Sequence, residues 1–152
     1  MSRKIKVHLD TNVLLDVLSE ERRPGSAASD IVFQAIRSGL LEGELSTQSF
    51  LDASYIICRG SNSPLLSEKM LQLISYINMG AIDSFNLREA IRSSKGDLED
   101  DAQYACALDG GCDVFLTNDR AFIQRYEGED QPIRFFTPEE FVARLTGQTS
   151  AQ

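Results

Sequence analysis

No apolar run in the chain approaches the roughly 20 residues needed to span a bilayer, so a membrane partner is not expected. The first residues, Met1-Ser2-Arg3-Lys4, are basic but lead into no apolar stretch with a small-residue cleavage site. A secretion signal is therefore not read, and a cytoplasmic location is expected. Cysteine is scarce: Cys58, Cys106 and Cys112 are odd in number and form no CxxC pair, which favours reduced thiols over a disulfide framework or a zinc site. His8 is the only histidine. It lies inside an apolar run, facing away from Val7 and Leu9 if that run is a strand, so a packed or hydrogen-bonded role is expected. No Ser-His-Asp or Cys-His arrangement is legible. Basic residues are also in deficit, 15 against 23 acidic ones for a net charge of −8. That balance counts against broad, non-specific binding to nucleic acid. It leaves a nucleic-acid substrate open, because an acidic metal pocket accounts for several surplus carboxylates and bound cations reverse the local sign.

What is present is enough apolar residue for a core: 42% of 152 residues fits one globular domain, expected over residues 1–146 with a frayed tail from 147 to 152. Residues 4–10 read as a buried strand, followed by a helix capped by Thr11 or Asn12. Ser26 can cap a second helix, with Ala28, Ile31, Val32, Ala35 and Ile36 at helical spacing. Glu44 to Ser46 suggests a weak strand. Residues 47–59 read as a helix on which Asp52 and Arg59 share a face. A turn is expected from Ser61 to Pro64, an amphipathic helix over 65–79, a short strand over 80–83 and a short helix over 87–94. Asp97 to Leu108 is a strong helix with acids in its first turn, stopped by Gly110-Gly111. Strands follow at 113–117 and 133–136. Thr137-Pro138-Glu139-Glu140 is a capping box opening a last helix to about Leu145. Helices alternating with short apolar strands predict an α/β fold, a parallel sheet covered on both faces.

Four acids, Asp10, Asp52, Asp100 and Asp119, stand near the ends or beginnings of these elements. Asp10 closes an apolar strand and Asp119 follows another, at the sheet edge where such folds bind ligands. Two unit charges about 4 Å apart repel by roughly 4 kcal/mol at an effective dielectric of 20. Convergence of all four therefore calls for a divalent cation, and all-oxygen ligation suits Mg²⁺ or Mn²⁺.

Four segments then occur in a telling order: Leu9-Asp10-Thr11-Asn12-Val13-Leu14-Leu15-Asp16, Ser49 to Arg59 with Asp52, Asp97 to Tyr104, and Leu116-Thr117-Asn118-Asp119-Arg120-Ala121-Phe122. With the closing Thr137-Pro138-Glu139-Glu140-Phe141, the chain over residues 4–145 resembles PIN-domain nucleases, VapC-type bacterial ribonuclease toxins and their relatives among them. The resemblance implies a three-layer α/β/α sandwich with a central parallel sheet of about five short strands. It also implies an acidic pocket holding one or two Mg²⁺ or Mn²⁺ ions, and cleavage of phosphodiester bonds, most often in RNA. By position, Asp10, Asp100 and Asp119 match the family's metal-binding carboxylates. Asp52 stands where many members carry Glu and some Asn, so its shorter side chain shifts the metal or ligates it through water. Asn12 and Thr117 match the polar residues that steady the pocket, and Asp97 is a further supporting candidate. Arg59 and Arg120 are candidates for holding substrate phosphates. A metal that activates water implies 5′-phosphate and 3′-hydroxyl products. The toxin role implies a small antitoxin partner and, commonly, a homodimer, for which the apolar faces of residues 26–38 and 65–79 are candidate contacts.

Plainer readings stand beside these. Asp10 and Asp119 can be a helix cap and a turn residue. Asp100 can be a first-turn acid and Asp52 a solvated helix acid; Asp97, Glu99 and Asp101 fit best as first-turn acids and Asp16 as a helix-surface acid, and Arg59 fits a surface cation as well as a phosphate contact. Two other functions compete. One is a catalytically weak or inactive PIN-fold module that binds nucleic acid or protein. The other is a phosphatase of the haloacid dehalogenase class, whose GDxxxD motif Gly96 to Asp101 spells. That class requires Asp-x-Asp after the first strand, where Asn12 stands here, and a strand before GDxxxD, where Arg88 to Lys95 reads as helix.

Overall fold

A computed structural model describes residues 2–59, 64–127 and 130–147 of the chain. Five strands, β1 (Lys6–Leu9), β2 (Glu42–Ser46), β3 (Asn78–Gly80), β4 (Val114–Leu116) and β5 (Arg134–Phe136), form one sheet in the order β3-β2-β1-β4-β5. Every pairing is parallel. The chain adds strands in one direction from β1 to β3, then returns to the other side of β1 with β4 and β5. The reversal falls between β1 and β4, where Leu9 pairs with Leu116. A crevice opens at such a point, beyond the carboxyl ends of the two strands, and both Asp10 and Asp119 follow those ends.

The period-2 alternation of the strands divides the core. Val7 and Leu9 of β1 and Val114 and Leu116 of β4 face one layer. Against them pack α1 (Thr11–Leu18), α2 (Ser26–Arg37), α3 (Thr47–Ile57), α4 (Pro64–Tyr76) and α8 (Pro138–Leu145), through residues such as Val13, Val32, Phe50, Leu73 and Phe141. Phe115 faces the other way, into an aromatic cluster with Phe122, Tyr126 and Tyr104. That layer belongs to α6 (Leu98–Asp109) and α7 (Arg120–Tyr126), with α5 (Ser84–Arg92) packed on α6. The fold is a three-layer α/β/α sandwich around five short parallel strands, as the sequence pattern indicates.

Several boundaries differ from the sequence reading. The cap of α1 is Asp10 itself, whose carboxylate accepts from Thr11 N, and Ser26 is the first helical residue of α2 after Gly25. The second strand begins at Glu42, and β3 precedes the expected segment, starting at Asn78. Helix α3 ends at Ile57, so Arg59 lies beyond it, exposed, and no longer shares a helix face with Asp52. Helix α7 is unanticipated: Asp119 caps it by accepting from Ala121 N and Phe122 N. The capping box of α8 is formed as expected, with Pro138 inside the first turn. The expected turn over Ser61 to Pro64 falls mainly outside the described residues, as does the tail from residue 148. Among the described residues no helix is long and apolar enough to cross a membrane.

Candidate functional site

Asp10 extends β1 by one hydrogen bond, its N–H donating to Leu116 O at 3.0 Å, and then turns the chain into α1. Its side chain is 8% exposed. Oδ1 accepts from Thr11 N at 2.8 Å, and Oδ2 accepts from Thr117 Oγ1 at 2.7 Å and from Asn12 Nδ2 at 3.1 Å. Thr117 is fully buried and also accepts from Asn12 Nδ2 and from Asp119 N. Asn12 Oδ1 in turn accepts from Asn118 N. The loops after β1 and β4 are thus stitched together around one carboxylate, with Asn12 and Thr117 as the stitches.

The helix-borne acids approach from the layer of α6 and from α3. Asp97 caps α6 by accepting from Asp100 N. Asp100, half-buried, pairs with Arg125 of α7. Burial first, then the charges of Asp97, Asp10 and Asp119, push the Asp100 carboxyl up to about 7, against the opposing pull of Arg125. Burial also raises the Asp10 carboxyl, with Asp119 adding to it and Thr117 and Thr11 pulling back. Glu99 is raised by burial and then by Asp52, Asp97 and Asp10. Asp97, Asp10 and Asp119 therefore act on Asp100, and Asp52, Asp97 and Asp10 act on Glu99. Asp52 is the outlying member: its carboxylate accepts from Gln48 Nε2, one turn earlier on α3. Beside Glu99 lies a mostly apolar groove of about 500 Å³, lined by Ile82, Leu87, Leu98 and Ala102 with Gln48 and Gln103.

Three residues do more than their sequence readings assign. Glu99, a first-turn acid of α6 as expected, also feels the charges of Asp52, Asp97 and Asp10. Asp101, read likewise, is buried and held by Tyr126 Oη at 2.6 Å and Lys95 N at 2.8 Å. Asp16, read as a helix-surface acid, is 1% exposed. It accepts from Arg23 Nε, Ser29 Oγ and Asn118 Nδ2, and so anchors the loop between Thr117 and Asp119 from below. Gly25 allows that approach, because a Cβ there would stand 2.8 Å from Asp16 Oδ2. Arg125 joins the site through its pair with Asp100. It falls on α7, the helix the sequence reading omitted. Arg120 is exposed and paired with Glu140 at 2.6 Å, outside the acidic cluster. The GDxxxD stretch follows a helix, α5, and its last acid is committed to Tyr126 and Lys95, so the phosphatase reading has no support.

A second group of possible ligands is buried elsewhere. His8, Glu44 and Cys106 bring ligand atoms within 4.8 Å of one another. Their polar atoms are already matched: His8 Nδ1 and Lys6 Nζ meet Glu44 at 2.8 and 3.7 Å, and Cys106 Sγ donates to Ala81 O. His8 is thus hydrogen-bonded core, and burial pushes the Cys106 thiol up to about 12, far from a reactive thiolate.

The PIN-domain family model matches residues 6–121. Ribonuclease VapC1 of Aquifex aeolicus (strain VF5) is 26% identical over 143 residues, spanning 91% of this chain and 94% of that protein. The crystal structure of PAE2754 from Pyrobaculum aerophilum shares the fold with a TM-score of 0.62 at 16% identity, over 95% of this chain and 91% of that one. A toxin-antitoxin complex from Klebsiella pneumoniae contains a chain with the same fold, at a TM-score of 0.60 and 16% identity, over 87% of this chain and 97% of that one. With Asp10 and Asp119 following the ends of β1 and β4 and the family's pattern spanning most of its length, the chain belongs to the PIN-domain family.

Proposed function

We propose that the protein is a metal-dependent endoribonuclease that hydrolyses RNA phosphodiester bonds. What supports this reading is that Asp10 and Asp119 follow the ends of β1 and β4 at the switch point of the sheet, and that both act with Asp97 on the Asp100 carboxyl, which burial and these charges push up to about 7. A divalent cation fits that set. Every donor is a carboxylate oxygen, the ligand type Mg²⁺ and Mn²⁺ favour, and a cation offsets the burial and the neighbouring charges that raise Asp10 and Asp100. Asp10, Asp100 and Asp119 would hold one or two ions, with Asp52 contributing directly or through water. When bound, the cation supplies Lewis-acid activation of the scissile phosphate and of the attacking water.

The remaining work falls to the chain's own residues. Thr117 and Asn12 fix the carboxylate of Asp10 in one orientation. Arg125 holds Asp100 and partly offsets the charge of its neighbours. Arg59 and Arg120, both exposed, would meet the flanking phosphates of a bound strand. The near full-length match to a ribonuclease supports RNA as substrate. Its overall acidity restricts binding to strands that reach the cation. The proposal extends to a toxin role with a small antitoxin partner, supported by the shared fold with a chain from a toxin-antitoxin complex, and to a cytoplasmic location. A homodimer would use α4, where Leu65, Leu71 and Ile74 are exposed. On α2 Val32, Phe33 and Ile36 pack into the core, and Ile31 stays exposed for such a contact.

The test is cleavage of RNA by the purified protein with Mg²⁺ or Mn²⁺ and with EDTA, followed by mapping of the ends. Cation-dependent cleavage leaving 5′-phosphate and 3′-hydroxyl ends is expected. Cleavage that persists in EDTA, or ends carrying a 2′,3′-cyclic phosphate, would sink the mechanism.

A further inference from the structure

Behind the acidic cluster runs a buried polar chain that the proposed reaction does not use. Its centre is Gln103 of α6, 2% exposed. Gln103 Nε2 donates to Ser46 Oγ at 2.9 Å and to Ser49 Oγ at 2.8 Å. Its Oε1 lies 3.0 Å from His8 Nε2, and His8 Nδ1 faces Glu44. Ser46 ends β2 and caps α3 by accepting from Ser49 N. Ser49 Oγ also accepts from Thr11 Oγ1 at 2.8 Å, and Thr11 N donates to Asp10. One amide side chain therefore ties α6 to the first turn of α3, to β1 and, through Ser49, to the residue after Asp10.

Helical spacing gives the tie its significance. Gln103 stands three residues after Asp100 and four after Glu99, so all three share a face of α6. Ser49 stands three residues before Asp52 and shares its face of α3. The tie sits one helical turn, about 5 Å along the axis, from the acids that must meet across the two helices. Apolar packing tolerates small slides between helices. A buried amide with both of its ends matched does not, because a slide strands a donor or an acceptor at about 1–3 kcal/mol each.

We propose that Gln103 is a positioning residue that sets the separation of α3 and α6, and with it the fit of Asp52, Glu99 and Asp100 to a divalent cation. The inference rests on the acidic cluster being a cation site. Its test is calorimetric titration of the full chain with Mn²⁺ alone, beside thermal melting of the same proteins. Gln103→Leu is expected to weaken Mn²⁺ binding at least tenfold, as loss of a group supporting metal ligands commonly does. Ser49→Ala, the milder change should Gln103→Leu fail to fold, is expected to weaken it several-fold. Gln103→Glu keeps an oxygen toward His8 and can accept from both serine hydroxyls, so it is expected to hold Mn²⁺ affinity within about threefold. Wild-type affinity in Gln103→Leu and Ser49→Ala, with only a lowered melting temperature, would reduce the tie to plain packing and overturn the positioning claim alone. A wild-type chain that binds no Mn²⁺ overturns the cation-site reading first, and the positioning claim with it.

Discussion

Asp10 and Asp119 stand on the loops that leave β1 and β4, and their carboxylates meet hydrogen-bond donors from several directions. Asp52, Glu99 and Asp100 stand on helices, and their side-chain partners among the described residues are few: Gln48 for Asp52 and Arg125 for Asp100. The strand half is therefore organised before any cation arrives, with Thr117 serving Asp10, Asn12 and Asp119 at once. The helix half is held by its backbone and by the ties beneath it, and its own charges oppose one another. A site built this way fixes the carboxylates of one corner by hydrogen bonds and leaves those of the other to be matched by a cation, which limits the organisation needed without charge neutralisation.

The comparison is most severely tested at the rigid corner. Asp10→Asn replaces an acceptor by an amide whose N–H group must face either Thr11 N or the donors of Asn12 and Thr117. RNA cleavage is expected to fall more than about a hundredfold, beyond the ~10–100-fold that follows loss of groups supporting metal ligands. Circular dichroism should show the fold retained. Next in size is Thr117→Val, which keeps the shape but removes the shared hydroxyl. It removes one of the two side-chain donors to Asp10 Oδ2 and the acceptor of Asp119 N, at about 1–3 kcal/mol, so a melting temperature lower by roughly 2–4 °C per kcal/mol is expected, with cleavage down about tenfold or more. Unchanged melting and activity would show that the strand half is not held by this hydroxyl.

On the helix half, Asp100→Asn is expected to reduce cleavage more than Asp52→Asn, since Asp100 feels Asp10 and Asp119 and Asp52 lies farther out. Equal losses would make Asp52 a full ligand. The same half predicts a pH signature. The Asp100 carboxyl lies near 7 in the folded chain and near 3.9 in an unfolded one, so the folded state holds the extra proton between those values. Metal-free stability should therefore fall as pH rises from about 4 to about 7. Added Mn²⁺ should remove the fall, and Asp100→Asn should flatten it. A metal-free melting curve that rises across this window would contradict the crowding of acids described above.

How legible these halves were in the sequence follows from the same contrast. Asp10 and Asp119 could be read because each ends an apolar run, and a strand end leaves little doubt about where its next residue points. The helix half was only partly legible. Asp97, Glu99, Asp100 and Asp101 are consecutive or nearly so, and each satisfies the first-turn preference for negative charge. Which face meets the crevice depends on tertiary packing, which leaves Glu99 feeling the charge of Asp52 and turns Asp101 inward to Tyr126. Gln103 carried no charge or motif to mark it, and its role emerges only when Ser46, Ser49 and His8 are brought around it. Helix α7 did leave a signal, Asp119 as cap with Phe122, Ile123 and Tyr126 at helical spacing. At seven residues it is shorter than periodicity alone resolves.

The smallest effect expected is at Arg120, and it separates the site from its rim. The guanidinium is exposed and pairs with Glu140, whose carboxyl is pulled down by Thr137 N and by Arg120 against the effect of burial. Exposed pairs of this kind contribute about 0–1 kcal/mol, and the α8 capping box keeps Glu140 in place without its partner. Arg120→Ala should therefore leave melting within about 2–4 °C and leave Mn²⁺ affinity unchanged. Its effect should appear as a several-fold rise in KM for RNA with kcat nearly constant, and as a shallower salt dependence, because one phosphate contact is lost. A fall in kcat of the size seen in Thr117→Val would place Arg120 inside the organised half, and the boundary between rigid corner and rim would have to be redrawn through α7.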